Sequence, residues 1–203
     1  TEGGALNNMG LIYWNKGESV KAIDHYIQAA EIFKQIDNQV GLGNAYNNIA
    51  LILYEDGEAS KSRQYNLKAL KIRLAAGHEY GIAASYSNLA QLYTNEPFNK
   101  FDSAIYYLQL SIPIKEKLND KFGLSKAYHS LADLYTDQNR LQEALENHQK
   151  ALKIQLELGN SEGYASSYYN IGFIYLKLND HQKQLLYLDS AQICAEQNED
   201  LSL

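Results

Sequence analysis

Cysteine is almost absent: Cys194 stands alone in 203 residues, so no disulfide can form within the chain. Two prolines and 13 glycines leave little compositional room for disorder, and 45% hydrophobic residues are enough to build an ordered core. No apolar run approaches the roughly 18 residues that would span a bilayer, so membrane insertion is not expected of this segment. Basic runs are missing too. The 18 Lys and Arg are scattered among 24 Asp and Glu, and the net charge of −6 excludes the positive footprint that nucleic acid or anionic lipid requires. The histidines, His25, His78, His129, His148 and His181, include no pair at i and i+4 around a glutamate, so the zinc-protease helix is excluded. His129 and Asp133 place two possible ligands on one helix face without a third, and GLGN (41–44) lacks the third glycine and the preceding strand of a dinucleotide loop. Neither a metal nor a cofactor is expected, and no polar constellation converges as an enzyme would need.

What the chain does contain is self-similarity. Gly41, Gly81, Gly123 and Gly163 are spaced 40, 42 and 40 residues apart, and each is followed by a related block: AYNNIALIL, SYSNLAQLY, AYHSLADLY and SYYNIGFIY. ALNNMGLIY (5–13) precedes the first glycine. The chain therefore divides into units 1–40, 41–80, 81–122, 123–162 and 163–203, and five units account for all of it. Within each, apolar residues recur twice at helical spacing around a break carrying Gly17, Gly57, Pro97, Asn139 or Asn179. Each unit is expected to be a helix-turn-helix, with Gly and Asn supplying the left-handed residue that ends the first helix. Pro113 falls inside the second helix of the third unit, where it removes a backbone hydrogen bond and is expected to kink the helix.

These residues resemble the tetratricopeptide repeat, a pattern of large, small and aromatic positions on two helices. Leu6, Met9, Gly10, Tyr13, Ala22, Tyr26 and Ala29 match it in the first unit, and Tyr128, Leu131, Ala132, Tyr135, Ala144, His148 and Ala151 in the fourth. The spacing of about 40 residues is longer than the usual 34 of that family and is similar to the kinesin light chain, Pins/LGN-type and bacterial signalling-protein subclass. The resemblance implies an all-α, right-handed superhelical solenoid that binds a protein or peptide partner in its concave groove. It does not extend to the basic carboxylate clamp of the co-chaperone branch, because the corresponding positions carry Gly4, Asn44, Ala84, Lys126 and Ser166.

The first helices should line that groove. At 100° per residue, Tyr46, Ile49, Ala50 and Leu53 face the core, and Asn44, Asn48, Leu51 and Glu55 face away. The equivalents of Asn48 are Asn8, Asn88, Ser130 and Asn170, an amide row broken at the fourth unit. Amides offer two donors and an acceptor without charge, so such a row suits the backbone of an extended peptide. The alternative is that the amides bond to the neighbouring repeat and order the array. Beside them runs a varied row, Asn7, Asn47, Ser87, His129 and Tyr169, expected to set selectivity. Trp14 and Tyr54 are candidates for an aromatic pocket, and Asp133 and Asp137 for a site that receives a Lys or Arg of the ligand. Two other readings stay open: a ligand-responsive input array of a signalling protein, and a structural or homo-oligomerisation module.

The chain opens at Thr1, and Leu203 falls where a sixth unit would begin. It is therefore expected to be a segment of a longer protein. The fifth unit has Gln184 in place of the small second-helix residue, and Leu185, Leu186 and Leu188 on its last helix have nothing after them. Looser packing there, and self-association through that end, are expected.

Overall fold

The computed structural model describes residues 1–95, 97–159 and 161–200, and among these it is all helix and turn. The helices are α1 (Glu2–Asn15), α2 (Ser19–Gln35), α3 (Gln39–Glu55), α4 (Ala59–Ala75), α5 (Glu79–Thr94), α6 (Phe101–Lys117), α7 (Lys121–Asp137), α8 (Leu141–Leu158), α9 (Ser161–Lys177) and α10 (His181–Asp200). They alternate as the first and second helices of a helical-repeat fold. The chain divides into two compact units, one running from Thr1 to Ile114 and the other beginning at Lys115, and the division falls within α6 just after Pro113. Helix α6 is continuous through that proline.

Left-handed residues end the helices as the composition of the breaks implies. Gly17, Gly57, Asn139 and Asn179 all have positive φ, while in the third break Asn99 takes this role and Pro97 does not. The same chemistry recurs between repeats, at Asp37, Gly77, Asn119 and Gly159. Beyond each such residue the chain folds back onto the helix just ended: Glu18 N–H donates to Tyr13 O at 2.9 Å and Glu58 N–H to Leu53 O at 2.7 Å. Asn38 Oδ1 accepts from Gly41 N–H at 3.0 Å and Asp120 Oδ1 from Gly123 N–H at 2.9 Å, so these first helices start two residues before the repeated glycine.

Close approach explains the small residues. A Cβ on Gly10 would lie 2.8 Å from the Tyr26 ring, and Ala50 and Ala132 are fully buried against their second helices. Gly41 is ordinary helix, yet its Cβ would lie 2.6 Å from Phe33 Cδ1, a rigid ring that is itself buried. Gly41→Ala is therefore expected to cost about 1–3 kcal/mol by overpacking, read as a lower urea midpoint with an unchanged m value. The core of the first unit comprises Tyr26, Ile49, Ile52 and their neighbours, continued by Phe33, Leu42 and Ala45. In the fifth repeat a Cβ on Gly172 would meet Leu188 Cδ2 at 3.1 Å and the Gln184 carbonyl at 3.4 Å, so Gln184 does not hold α9 and α10 apart. Leu185, Leu186 and Ile193 are exposed on α10, and Leu203 lies outside the described residues.

Candidate ligand-binding faces of the two units

In the first unit the amide rows are joined to each other. Asn48 Nδ2 donates to Asn7 Oδ1 at 3.3 Å, and Asn88 Nδ2 donates to Asn47 Oδ1 at 2.8 Å. Each bond runs from the repeated row of one repeat to the varied row of the repeat before it, across 41 residues. Asn8, on the first helix, is exposed. Asn48 and Asn88 are half-buried, and among the described residues their Oδ1 atoms have no hydrogen-bond partner. One N–H of each amide thus holds the array together, and its oxygen remains available.

Trp14 and Tyr54 go to different uses. Trp14 packs on the Tyr26–Ile49–Leu53 core and its indole N–H donates to Glu55 Oε2 at 2.7 Å. Tyr54 accepts from Asn95 Nδ2 through its hydroxyl and lines a small recess with Asn66, Asn88 and Gln91. No ring stacking joins Trp14 to Tyr54 among the described residues.

Arg73 was not singled out by the repeat pattern. It lies near the end of α4, 4% exposed, and passes beneath the start of α5 where Gly81 leaves room: a Cβ there would lie 2.8 Å from Arg73 Cδ. Its Nη1 donates to Ser85 Oγ at 2.7 Å, Gly81 O at 3.1 Å and Asn47 Oδ1 at 3.2 Å, and its Nη2 to Asn44 Oδ1 at 2.9 Å. All four acceptors are neutral. Burial alone accounts for the lowered pKa of the guanidinium. The equivalent residues are Phe33, Lys115 and Gln155, which perform the same bridging differently: Lys115 Nζ donates to Gly123 O at 3.1 Å, and Gln155 Oε1 accepts from Ser167 Oγ at 2.7 Å. A readable signal existed, since a hydroxyl stands twelve residues beyond Arg73 and Gln155, at Ser85 and Ser167, and Ala45 stands in that place beyond Phe33.

In the second unit the rows meet at His129. Asn170 Nδ2 lies 3.4 Å from His129 Nε2, again across 41 residues. The amide nitrogen can only donate, so Nε2 accepts when unprotonated, whereas a proton there would favour Asp133 Oδ2, 3.7 Å away. His148, at a core aromatic position of the repeat, is 1% exposed, stacks edge-on against His129 at 5.0 Å, and places Nε2 3.5 Å from Asp133 Oδ1. Burial, helped by the His129 charge, pushes His148 down to about 3. Burial also holds the Asp133 carboxyl above its usual range, against the pull of His129 and with the repulsion of Asp137. The carboxylates of Asp133 and Asp137 line a recess of about 210 Å³ together with Thr136, His148, Asn170, Phe173 and Ile174. Farther along α7 a second recess of about 550 Å³ is bordered by Phe122, Lys126, His129, Ser130 and Ser166. No group of three or more His, Cys, Asp or Glu among the described residues is arranged to hold a metal ion.

Comparison with solved structures gives high similarity at low identity. BtubC (BKLC) from P. vanneervenii has a TM-score of 0.87 at 21% identity, covering 96% of this chain and 80% of that one. A putative kinesin light chain of Podospora anserina with nearly identical TPR-like repeats has a TM-score of 0.77 at 17% identity, covering 97% and 95%. A Rap protein complexed with competence and sporulation factor has a TM-score of 0.71 at 18% identity, covering 98% of this chain but 55% of that one. At these identities the likeness establishes the fold. Among curated protein sequences none matches the chain. No helix among the described residues is long and apolar enough to cross a membrane. The 40-residue pairing of helices, the small residues under Tyr26 and the matches to the tetratricopeptide repeat over residues 2–75, 41–117 and 123–192 together place the chain in the tetratricopeptide repeat family, whose members are protein-interaction scaffolds.

Proposed function

We propose that this chain binds an extended peptide or partner segment along the face of its first helices. Asn8, Asn48 and Asn88 in the first compact unit, and Asn170 in the second, each hold backbone of such a segment on their own unit. The carrying observation is the 41-residue hydrogen bond from Asn48 to Asn7 and from Asn88 to Asn47. Each bond fixes a side-chain rotamer before a ligand arrives, so less entropy is lost on binding, and the amide oxygen is left to accept a ligand N–H. His129, Asn47, Trp14 and Tyr54 shape the borders of this face. Asp133 and Asp137, in their 210 Å³ recess, receive a Lys or Arg side chain of the ligand, which relieves the repulsion between the two carboxylates. The similarity to a Rap protein solved with competence and sporulation factor supports a ligand on such a face. It also supports a regulatory input role within a longer protein, in which binding biases the arrangement of the repeats.

The test is a peptide selected on the wild-type protein from a random-sequence display library, with its affinity measured by fluorescence anisotropy. Asn48→Ala with Asn88→Ala is expected to weaken it about tenfold, the loss of one or two hydrogen bonds to a polar backbone. Asp133→Asn with Asp137→Asn is expected to remove most of the salt dependence. Equal affinity in the doubly Ala-substituted protein, with its fold retained, rules out the amide row as the ligand's support.

A further inference from the structure

The joint between the fourth and fifth repeats copies those between the first three with one change. Asn170 Nδ2 lies 3.4 Å from His129 Nε2, in the place where Asn48 meets Asn7 Oδ1 and Asn88 meets Asn47 Oδ1. An amide oxygen has no proton equilibrium near neutral pH, whereas an imidazole nitrogen accepts only until it takes a proton. Imidazole is the side chain whose ordinary proton exchange falls between about pH 5 and 8. The protonated nitrogen has an acceptor at hand, because Asp133 Oδ2 stands 3.7 Å from the same Nε2, one helical turn along α7. The His129 side chain is 28% exposed, so solvent reaches it. While Nε2 accepts, the ring's own hydrogen sits on Nδ1, which is buried without a partner, and that cost keeps the neutral arrangement from being strongly preferred.

We propose that His129 makes the pairing of α7 with α9 proton-operated: neutral, its Nε2 accepts from Asn170, and protonated, it leaves Asn170 and donates to Asp133. A bond between an imidazolium and a carboxylate is about twice as strong as one between neutral groups, which draws the ring to Asp133. The charged and titratable groups around the ring are compatible with this exchange. On α7, Lys126 lies one turn before it with Nζ over the Phe122 ring at 4.4 Å, and Asp137 lies one turn beyond Asp133. The end of α6 brings Lys115 and Glu116, which are engaged by the Gly123 carbonyl at 3.1 Å and the Tyr128 hydroxyl at 3.0 Å. Helix α8 brings His148, edge-on at 5.0 Å, and Lys150, whose Nζ lies over the Tyr128 ring at 5.3 Å. Helix α9 brings the neutral Asn170 and, beside it, the exposed Tyr169. Burial holds His148 down at about 3, so it does not compete for the proton. Burial raises the Asp133 carboxyl and the charge on His129 pulls it back, so the two groups favour each other's charged forms. Acid thus frees Asn170 from α7 and occupies Asp133. That Asp133 is thereby lost to a cationic ligand side chain rests on the peptide reading above; the joint itself does not.

The free protein is followed by 15N NMR from about pH 8 to about pH 5, at the His129 ring nitrogens and the side-chain NH2 groups of Asn48, Asn88 and Asn170. One shared midpoint for the His129 ring and the Asn170 NH2 group is expected, with Asn48 and Asn88 unmoved. His129→Asn, which installs the residue found at Asn7 and Asn47, is expected to abolish the Asn170 response, and His148→Leu to leave it in place. In urea unfolding, Asn170→Ala is expected to raise the unfolding constant about fivefold at pH 8 and not at all at pH 5. A ring that stays neutral down to pH 5, an Asn170 group unmoved while the ring protonates, or a response that survives in His129→Asn overturns the proposal. So does an equal cost of Asn170→Ala at both pH values, the mark of an amide that flips and keeps the joint by offering its oxygen. Failure of a display-selected peptide to bind leaves all of these measurements untouched, so the peptide reading and the joint can fail separately.

Discussion

An Arg73→Phe variant is expected to lose about 2–4 kcal/mol of stability, and adding Ser85→Ala to it is expected to return at least half of that loss. Removing the guanidinium leaves the Ser85 hydroxyl without the partner it has at 2.7 Å, while Gly81 O loses its second donor, at 3.1 Å, and keeps its backbone bond within α5. Each buried group left unpaired costs about 1–3 kcal/mol. The apolar alternative is already built into the chain one repeat earlier. Phe33 occupies the position of Arg73, Ala45 that of Ser85, and Gly41 makes room for the ring as Gly81 makes room for the guanidinium. Replacing a buried polar junction by a packed apolar one is often neutral, whereas removing a single partner is not. Urea midpoints at constant m value decide it. A double variant no more stable than the single would mean that the two junctions are not interchangeable and that Ser85 and Gly81 are not what Arg73 satisfies.

Acidification is expected to destabilise the protein through His148 by about 1.4 kcal/mol per pH unit, or about 3 kcal/mol between pH 6.5 and pH 4. Burial holds this histidine at about 3 in the folded chain. The unfolded chain takes up the proton as pH falls below about 6.5. Between those values the unfolded state binds more protons, so stability drops as pH drops. Asp133 acts in the opposite sense: its carboxyl is raised, so the folded state is the first to take that proton and gains from it. His148→Leu, which installs the residue found at the equivalent Leu108 and Leu188, should flatten the acid-side decline. Asp133→Asn should steepen it. Denaturation midpoints from pH 7 to pH 4 test both, and an identical decline in His148→Leu would remove His148 from the explanation.

The pairing of helices was legible because it is written in residues that sterics constrain strongly. Gly10 under Tyr26 and Gly41 under Phe33 leave no room for a Cβ without displacement, and small residues, Gly or Ala, recur at the position of Gly10 along the chain. The left-handed turns were legible at Gly17, Gly57, Asn139 and Asn179, but Asn99 was obscured by the neighbouring Pro97. The buried place of His148, at the position of Tyr26, was legible from the repeat, whereas the polar partners of Arg73 and His148 were not. Each occupies a position whose constraint is volume, filled elsewhere by Phe33 or by Tyr26, and their polar partners come from other helices whose approach no local pattern reports. The same holds for Trp14, whose indole nitrogen finds Glu55 on α3. Helical geometry alone turns Asn8, Asn48, Asn88 and Asn170 away from the core of their own repeats. The bonds to Asn7, Asn47 and His129 required the spacing between adjacent first helices.

Side-chain amide NMR with a display-selected peptide places the ligand most directly. Addition of the peptide is expected to shift the NH2 resonances of Asn8, Asn48, Asn88 and Asn170 and to leave the exposed Asn15 and Asn119 unmoved. A peptide that binds tightly while all four of those resonances stay fixed would show that the amides only fasten one repeat to the next, and that the binding face lies elsewhere on the protein.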